Sequence, residues 1–215
     1  MQTPPKLVIF DCDGILVDSE PTSNRVLHEL LCEYGATLTI EQFYGEFVGK
    51  NRYAVEDYMA RQNLTLPGDW SETYYERTIA ALSATCEPIP HVHAVLDALS
   101  AANIPFCVAS NGTHPKMNAT LTKTHLLSSF TGRMYSGYDM AAGKPAPDLF
   151  LHAAAQNNTV PEHCVVIEDS PSGFQAAHAA NMRCLAYAPA PELPLWNATP
   201  FNSMQDLPKH RGLAI

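Results

Sequence analysis

The chain of 215 residues is long enough to bury a substantial core, either as one large domain or as a medium domain that carries a smaller one. Its 13 basic and 22 acidic residues give a formal net charge of −9, without any basic run. This balance excludes the electrostatic pattern of a protein that binds nucleic acid or an anionic membrane. Any anionic ligand therefore needs local positive groups.

The six cysteines are scattered without a C-x-x-C spacing, and several lie in apolar runs, where reduced cysteine behaves as a small hydrophobic residue. The first ten residues carry two prolines instead of a charged and apolar leader. No apolar stretch approaches the roughly 20 residues that cross a bilayer. We therefore expect a cytoplasmic protein with no membrane partner. The sequence leaves the oligomeric state open, and a monomer is compatible with it.

The first predicted strand, Leu7–Phe10, runs directly into Asp11-Cys-Asp13-Gly14. Because side chains alternate along a strand, Asp11 and Asp13 can point into the same crevice beyond its carboxyl end. Two carboxylates in that crevice provide oxygen ligands for a cation. The apolar run that follows Gly14 argues against a calcium loop, in which oxygen ligands would continue. For these residues alone, a simple polar turn remains the alternative.

Residues 19–86 show helical patterns and no strand signal. Within them, Thr39 and Gln42 have the spacing of a capping box at the start of a helix. This segment directly follows the two aspartates in the chain, so an inserted helical module at this point can act as a lid over the crevice. A purely stabilising subdomain is the alternative, because position beside a site does not prove a role in it.

Strand-like runs return after residue 86, with helical stretches between them, one of which is predicted from Pro115 to Leu127. Such alternation is typical of a parallel sheet with crossover helices. We therefore expect an α/β protein with a Rossmann-like core of residues 1–16 and 87–215 and an inserted α-helical cap of residues 17–86. The later strand-like runs cover residues 104–109, 134–135, 164–167 and 184–187.

Three further polar clusters follow strand-like runs, at the places where open parallel sheets bind ligands. The cluster Ser110-Asn111-Gly112 offers a hydroxyl and backbone N–H groups to a phosphate oxygen, although the same triplet is also an ordinary turn. Lys144 can place a point charge on a phosphate, or it can simply be solvated. The pair Glu168-Asp169 either holds a cation or caps the next helix.

Each of the four polar clusters is ambiguous alone. Together they are specific, because all four follow strand-like runs and occur in the order of one known family. The chain resembles phosphohydrolases of the haloacid dehalogenase superfamily that carry a helical cap, in the branch that includes β-phosphoglucomutase. The resemblance runs through essentially the whole predicted core. Its segments are Phe10–Gly14, Ser110–Gly112, Lys144-Pro145 and Glu168–Ser170.

This resemblance implies a mechanism and a cofactor. The residue matching Asp11 attacks phosphorus and forms an aspartyl phosphate, and the residue matching Asp13 protonates the leaving alkoxide and then activates water. Magnesium is the implied cation, because it prefers hard oxygen ligands and phosphate. Its implied ligands are Asp11, the backbone carbonyl of Asp13, and Asp169. Glu168 is implied as a further ligand or as a residue beside the ligands.

The resemblance also implies how the substrate is held. Ser110 and Lys144 bind the transferring phosphoryl group, with help from backbone N–H groups near Gly14 and Asn111. Arg52 matches an arginine of the family's cap and is a candidate contact for the rest of the substrate. A solvated helix start explains Arg52 about as well.

Residues 136–154 are similar to the same region of 6-phosphogluconate phosphatases, so the implied partner is a small-molecule phosphate ester. We expect a phosphorylated sugar or sugar acid, with 6-phosphogluconate as the specific candidate. Ser23 stands where the mutases of the branch have a histidine, which favours hydrolysis. A β-phosphoglucomutase-like mutase remains an alternative, as does a module that binds phosphate esters without turnover. Dehalogenation fits less well, because in the family it uses neither the second aspartate nor a metal.

Overall fold

A computed structural model describes residues 4–47, 52–210 and 213. The chain divides into two compact units: a core unit, up to residue 18 and from residue 87 onwards, and a helical unit of residues 19–86. The sequence placed the start of the insert at residue 17. In the structure, Val17 and Asp18 belong to the core unit because they pair antiparallel with Pro88 and Glu87.

The described residues form eight strands, and six of them make one parallel sheet. The strands are β1 (Leu7–Phe10), β2 (Val17–Asp18), β3 (Glu87–Pro88), β4 (Phe106–Ser110), β5 (Met134–Ser136), β6 (Cys164–Glu168), β7 (Arg183–Tyr187) and β8 (Thr199–Phe201). The sheet order is β5-β4-β1-β6-β7-β8, while β2 and β3 form a separate two-stranded ribbon. This is the α/β fold with a parallel sheet that the sequence predicted.

Helices surround this sheet and make up the helical unit. In the described part of the chain they are α1 (Glu20–Glu33), α2 (Ile40–Phe47), α3 (Arg52–Arg61), α4 (Trp70–Thr85), α5 (Val92–Ala101), α6 (His114–Lys123), α7 (Leu127–Phe130), α8 (Asp148–Gln156) and α9 (Pro171–Ala179). Short 3-10 turns cover Gly137–Asp139, Pro161–His163 and Met204–Lys209. Among the described residues, no helix combines the length and the apolar character needed to cross a membrane.

The core unit is built on strands that are buried on both faces. Every residue of β1, β4 and β6 is buried, which explains why these strands read as continuous apolar runs instead of alternating ones. On one face, α8 contributes Leu149, Phe150 and Ala153 to the same cluster as Ile9 of β1 and Phe174 of α9. The helical spacing of these α8 residues gives one apolar stripe that covers the sheet.

The helical unit has its own apolar cluster. The predicted capping box is confirmed at the start of α2, since the Thr39 N–H donates to Gln42 Oε1 at 2.7 Å and the Gln42 N–H donates to Thr39 Oγ1 at 3.3 Å. The helix then buries Phe43 and Phe47, whose ring centroids lie 5.0 Å apart. Met59 of α3 completes the centre of the cluster.

Two sequence predictions about elements were wrong or incomplete. The helix predicted from Pro115 to Leu127 is two helices, because His125 adopts a left-handed φ of 60° and the chain turns before α7 begins. The apolar period continues across that turn, so periodicity alone could not detect it. The strand β8 was not predicted, because it lies in a tail with little apolar pattern and forms only by pairing with β7.

The packing of α8 predicts two different outcomes for the same substitution. Leu149 is fully buried, whereas Leu151, two residues along the helix, is 39% exposed. We expect Leu149→Ala to lower the free energy of unfolding by about 2–5 kcal/mol, since it removes buried methyl groups and leaves a cavity. Leu151→Ala should change it by about 0.5 kcal/mol or less. Urea unfolding of both variants checks this, and equal losses would contradict the described burial.

Candidate active site

Three neighbouring strands end in polar side chains at one edge of the sheet. Asp11 directly follows β1, Ser110 ends β4, and Glu168 ends β6. Because β1 lies between β4 and β6 and all three are parallel, their carboxyl ends meet. The fold thus brings together Asp11, Ser110 and Glu168, which are far apart in the sequence.

A buried lysine joins two of these strand ends. Lys144 Nζ donates to Asp11 Oδ1 and to Glu168 Oε1, each at 2.7 Å, and its side chain is only 3% exposed. The ring of Phe150 covers the ammonium group, with 4.8 Å between Nζ and the ring centroid. Lys144 is therefore not a solvated loop residue, because two carboxylates and an aromatic face enclose its charge.

The charges in this buried group depend on one another. Burial alone disfavours the charged form of Lys144, but the carboxylates of Asp11 and Glu168 outweigh it and raise the lysine pKa above its ordinary 10.5. Burial raises the pKa of Asp11 from 3.8 to about 7, and the Lys144 ammonium opposes that rise. The lysine therefore stays positively charged at neutral pH, where Asp11 can still gain or lose a proton.

Asn111 fixes the backbone of the lysine loop. Its side-chain Nδ2 donates to the Lys144 carbonyl oxygen at 3.0 Å, and its Oδ1 accepts from the Lys144 N–H at 2.9 Å. The two bonds tie the loop after β4 to the loop that carries Lys144. Beside Asn111, the buried Ser110 accepts a hydrogen bond on Oγ from the Gly112 N–H at 3.0 Å. The Ser110 hydroxyl hydrogen stays available to an incoming oxygen.

Glu168 uses both carboxylate oxygens inside the protein. While Oε1 accepts from Lys144, Oε2 accepts from the Asp169 N–H, the Ser170 N–H and the Ser170 hydroxyl at 2.8–2.9 Å. The side chain lies so close to α9 that a Cβ at Gly173 would collide with it. Glu168 therefore links Lys144 to the start of α9.

Three carboxyl groups at this edge lie close enough together to coordinate one cation. Ligand oxygens of Asp11, Glu168 and Asp169 all lie within 4.8 Å of one another. The backbone of Gly14 reaches this group, since its φ of +75° is left-handed and a Cβ there would overlap the Asp169 carboxylate. Such hard oxygen donors fit magnesium better than a soft metal.

The local charge also fits a divalent cation. Besides the three clustered carboxyl groups, Asp13 lies in an ion pair with Lys116, whose Nζ is 2.9 Å from Asp13 Oδ1. When all are ionised, the four carboxylates exceed the charges of Lys144 and Lys116 by two. An excess of this kind is costly in a partly buried site unless a cation balances it.

Comparison with known proteins places this arrangement in a family. Residues 8–187 match the family model described as haloacid dehalogenase-like hydrolase. The chain belongs to this family. It is 34% identical to the 6-phosphogluconate phosphatase of Escherichia coli K12, over 97% of this chain and 96% of that protein.

Solved structures agree with that assignment. A haloacid dehalogenase-like protein from Agrobacterium tumefaciens matches with a TM-score of 0.79 and 32% identity, over 95% of this chain and 96% of the other. A hydrolase of the same family from Deinococcus radiodurans, determined with bound phosphate and sodium, matches with a TM-score of 0.78 and 30% identity, over 96% and 94% of the two chains.

Two further basic side chains, Arg52 and Lys116, have ion-pair partners of their own. Arg52 lies at the start of α3 in the helical unit, where it pairs with Glu56 at 3.2 Å and stacks over the ring of Tyr53. Lys116 was given no role by sequence reasoning, because its position six residues after Ser110 shows only that a helix begins there. Its ion pair with Asp13 is a tertiary contact.

The buried lysine generates a test of the site's electrostatics. In Lys144→Met the carboxyl groups of Asp11 and Glu168 lose their shared partner, so we expect a loss of about 3–5 kcal/mol in unfolding free energy at pH 8. The loss should shrink at pH 5, because Asp11, with a pKa already raised to about 7, can then become neutral.

The matched control is Lys209→Met, which removes an exposed lysine from the last 3-10 turn. Urea unfolding at both pH values compares the two variants with the unchanged protein. Lys144 stays charged at both pH values because its pKa is raised in the folded state, so the difference between pH 5 and pH 8 comes from protonation of Asp11. A Lys144→Met loss equal at pH 5 and pH 8 would contradict the ion triad.

Proposed function

We propose that this protein is a magnesium-dependent phosphatase of small phosphorylated sugars or sugar acids, with 6-phosphogluconate as its specific candidate, working through an aspartyl phosphate on Asp11. The observation that carries the proposal is the meeting of two aspartates, a buried lysine, a serine hydroxyl and a carboxylate cluster at the carboxyl ends of β1, β4 and β6. This combination serves phosphoryl transfer because the chemistry needs a nucleophile, an acid and base, and positive charge.

Asp11 is the proposed nucleophile. Its Oδ1 is held by Lys144, which leaves Oδ2 to approach phosphorus. The attack forms the Asp11–phosphorus bond while the bond from phosphorus to the leaving oxygen breaks. The proton that the leaving alkoxide needs comes from Asp13, which then takes a proton from the water that hydrolyses the aspartyl phosphate.

Lys144 and Ser110 are the proposed phosphoryl-binding side chains. The lysine contributes a fixed positive charge close to Asp11, and the serine hydroxyl is buried at the end of the neighbouring strand. Both are held by contacts within the protein, so little reorganisation is needed when charge develops on the phosphoryl oxygens. An overall acidic protein thereby acquires a local site for an anion.

Asp11, Asp169 and the backbone carbonyl of Asp13 are the proposed magnesium ligands, and Glu168 orients this set through Lys144 and the start of α9. The cation, when bound, neutralises phosphate charge and favours the ionised form of the Asp11 carboxyl. The Deinococcus radiodurans relative was determined with bound phosphate and sodium, which supports binding of an anion and of a cation by a protein of this family.

The proposed substrate class follows from the relatives and from one residue of the chain. The E. coli relative that is 34% identical is a phosphatase of 6-phosphogluconate. Ser23, which stands where the mutases have a histidine, donates its hydroxyl to the Ser19 carbonyl oxygen at 2.9 Å within α1. Since a serine there cannot serve as a histidine acid or base, hydrolysis is the favoured outcome. Arg52 is the proposed contact for the sugar portion.

Phosphate release from a panel of sugar phosphates tests the proposal. We expect release from 6-phosphogluconate with magnesium, loss of release with a chelator, and recovery when magnesium is added back. Asp11→Asn should reduce release to background, and Asp13→Asn should lower it by about 100-fold to 10,000-fold. The control Asp97→Asn makes the same change on the exposed face of α5 and should leave the rate unchanged.

Four outcomes would contradict the proposal. Full activity of Asp11→Asn would exclude its role as nucleophile, and full activity in chelator would exclude the metal. Conversion of a hexose bisphosphate to an isomerised monophosphate, without net phosphate release, would instead identify a mutase. Binding of the esters without any turnover would identify a binding module.

A further inference from the structure

Lys116 lies in the first turn of α6 and is mostly covered by protein. Its side chain is 19% exposed, and that of Asp13, its partner at 2.9 Å, is 29% exposed. Lysine is rarely covered to this extent without a specific partner, because its ammonium group is strongly hydrated. The contact therefore differs from the solvated helical ion pairs of the chain, such as that of Arg25 and Glu29, in which both side chains are more than half exposed.

The backbone that carries Lys116 is fixed at both of its polar groups. The Lys116 N–H donates to the side chain of Thr113, the N-cap of α6, at 3.4 Å, and the Lys116 carbonyl oxygen accepts from the Thr120 hydroxyl at 3.1 Å. Thr113 follows the Ser110–Gly112 loop directly. The start of α6 therefore fixes the backbone of Lys116 next to the Ser110–Gly112 loop, and the contact with Asp13 holds its ammonium group.

The two oxygens of Asp13 have different surroundings. Oδ1 contacts the Lys116 ammonium. A Cβ added to Gly112 would lie 3.7 Å from Asp13 Oδ2, 3.3 Å from Ser110 Oγ and 3.9 Å from Met117 Cγ, so Oδ2 borders the space beside Gly112. That space is thus bordered by the serine hydroxyl that is proposed to hold the phosphoryl group, and Oδ2 is the Asp13 oxygen that reaches it.

We propose that Lys116 is a positioning residue that holds Asp13 by Oδ1, so that Oδ2 is the atom that exchanges protons with the substrate and with water. This inference rests on the proposed function, in which Asp13 is the general acid and base. In the first step the proton moves from Oδ2 to the leaving oxygen as the Asp11–phosphorus bond forms. In the second step Oδ2 receives a proton from the attacking water. Holding the carboxyl group in one orientation raises the fraction of encounters that are productive.

The leaving group of the substrate provides the test. Glucose 6-phosphate and 6-phosphogluconate have alkoxide leaving groups that need a proton, whereas p-nitrophenolate leaves without one. The ratio kcat/KM reports the steps through formation of the aspartyl phosphate, so it isolates the general-acid step. The measurement compares the unchanged protein with Lys116→Met, Lys116→Gln and Lys116→Arg. Lys123→Met, at the last turn of the same helix, is the matched control.

We expect Lys116→Met and Lys116→Gln to lower kcat/KM for both sugar phosphates by about 10-fold to 100-fold. This loss is smaller than the full rate enhancement of about 100-fold to 10,000-fold that a positioned general acid contributes. The value for p-nitrophenyl phosphate should change by less than about three-fold, because that leaving group depends little on general acid. The fall should lie in kcat, with KM little changed. Lys116→Arg should recover most of the activity, and Lys123→Met should match the unchanged protein.

Other results overturn the inference. Equal falls for alkyl and aryl esters in the soluble variants would indicate general damage to the site. A fall confined to 6-phosphogluconate, with a raised KM, would show that Lys116 binds the substrate carboxylate instead. If Asp13→Asn loses sugar phosphate activity while Lys116→Met and Lys116→Gln keep it, the proposed function stands and the positioning role fails. If the unchanged protein releases phosphate from none of the esters, the proposed function fails and this inference with it.

Discussion

A single buried ammonium group organises the candidate active site of this haloacid dehalogenase-like hydrolase. Lys144 contacts Asp11 and Glu168 at equal distances of 2.7 Å and is covered by the ring of Phe150. Two carboxylates that face each other at the ends of adjacent strands would otherwise repel, and one of them would be held neutral by burial. The Lys144 ammonium stabilises the carboxyl groups of Asp11 and Glu168 in this buried environment. It also supplies a positive charge at the proposed phosphate-ester site, in a protein whose net charge is −9.

The fold positions Lys144 through contacts with its backbone and with its side chain. The strand order puts β1 between β4 and β6, so the residues that follow these strands meet at one edge. Asn111, after β4, binds both backbone polar groups of Lys144, while Glu168, at the end of β6, binds its side chain. Glu168 in turn accepts from Ser170 at the start of α9. Phe150 of α8 both packs in the apolar cluster of the core unit and covers the Lys144 ammonium, so stability and site geometry are linked through α8.

The sequence predicted the parallel sheet and the polar clusters after its strands because both depend on local patterns: apolar runs and the residues that directly follow them. The capping box of Thr39 was also predictable, since both of its bonds join residues three positions apart. The contacts of Lys144 and Lys116 were not, because a lysine in a loop or at a helix start looks the same whether it is solvated or paired. The break between α6 and α7 and the existence of β8 were missed for a related reason. The apolar period runs across the first, and the second exists only through pairing with a distant strand.

The central claim is that Asp11 carries the phosphoryl group during turnover. The most direct test is a rapid-quench reaction of p-nitrophenyl phosphate with Asp13→Asn, in which the first step needs little acid and the second lacks its base. Mass spectrometry of the digested protein should then find a phosphoryl group on the peptide that contains Asp11, at an amount that matches the p-nitrophenolate released in the first turnover. Release of p-nitrophenolate and phosphate together, with no phosphorylated peptide at any time, would show direct attack by water and would contradict the account.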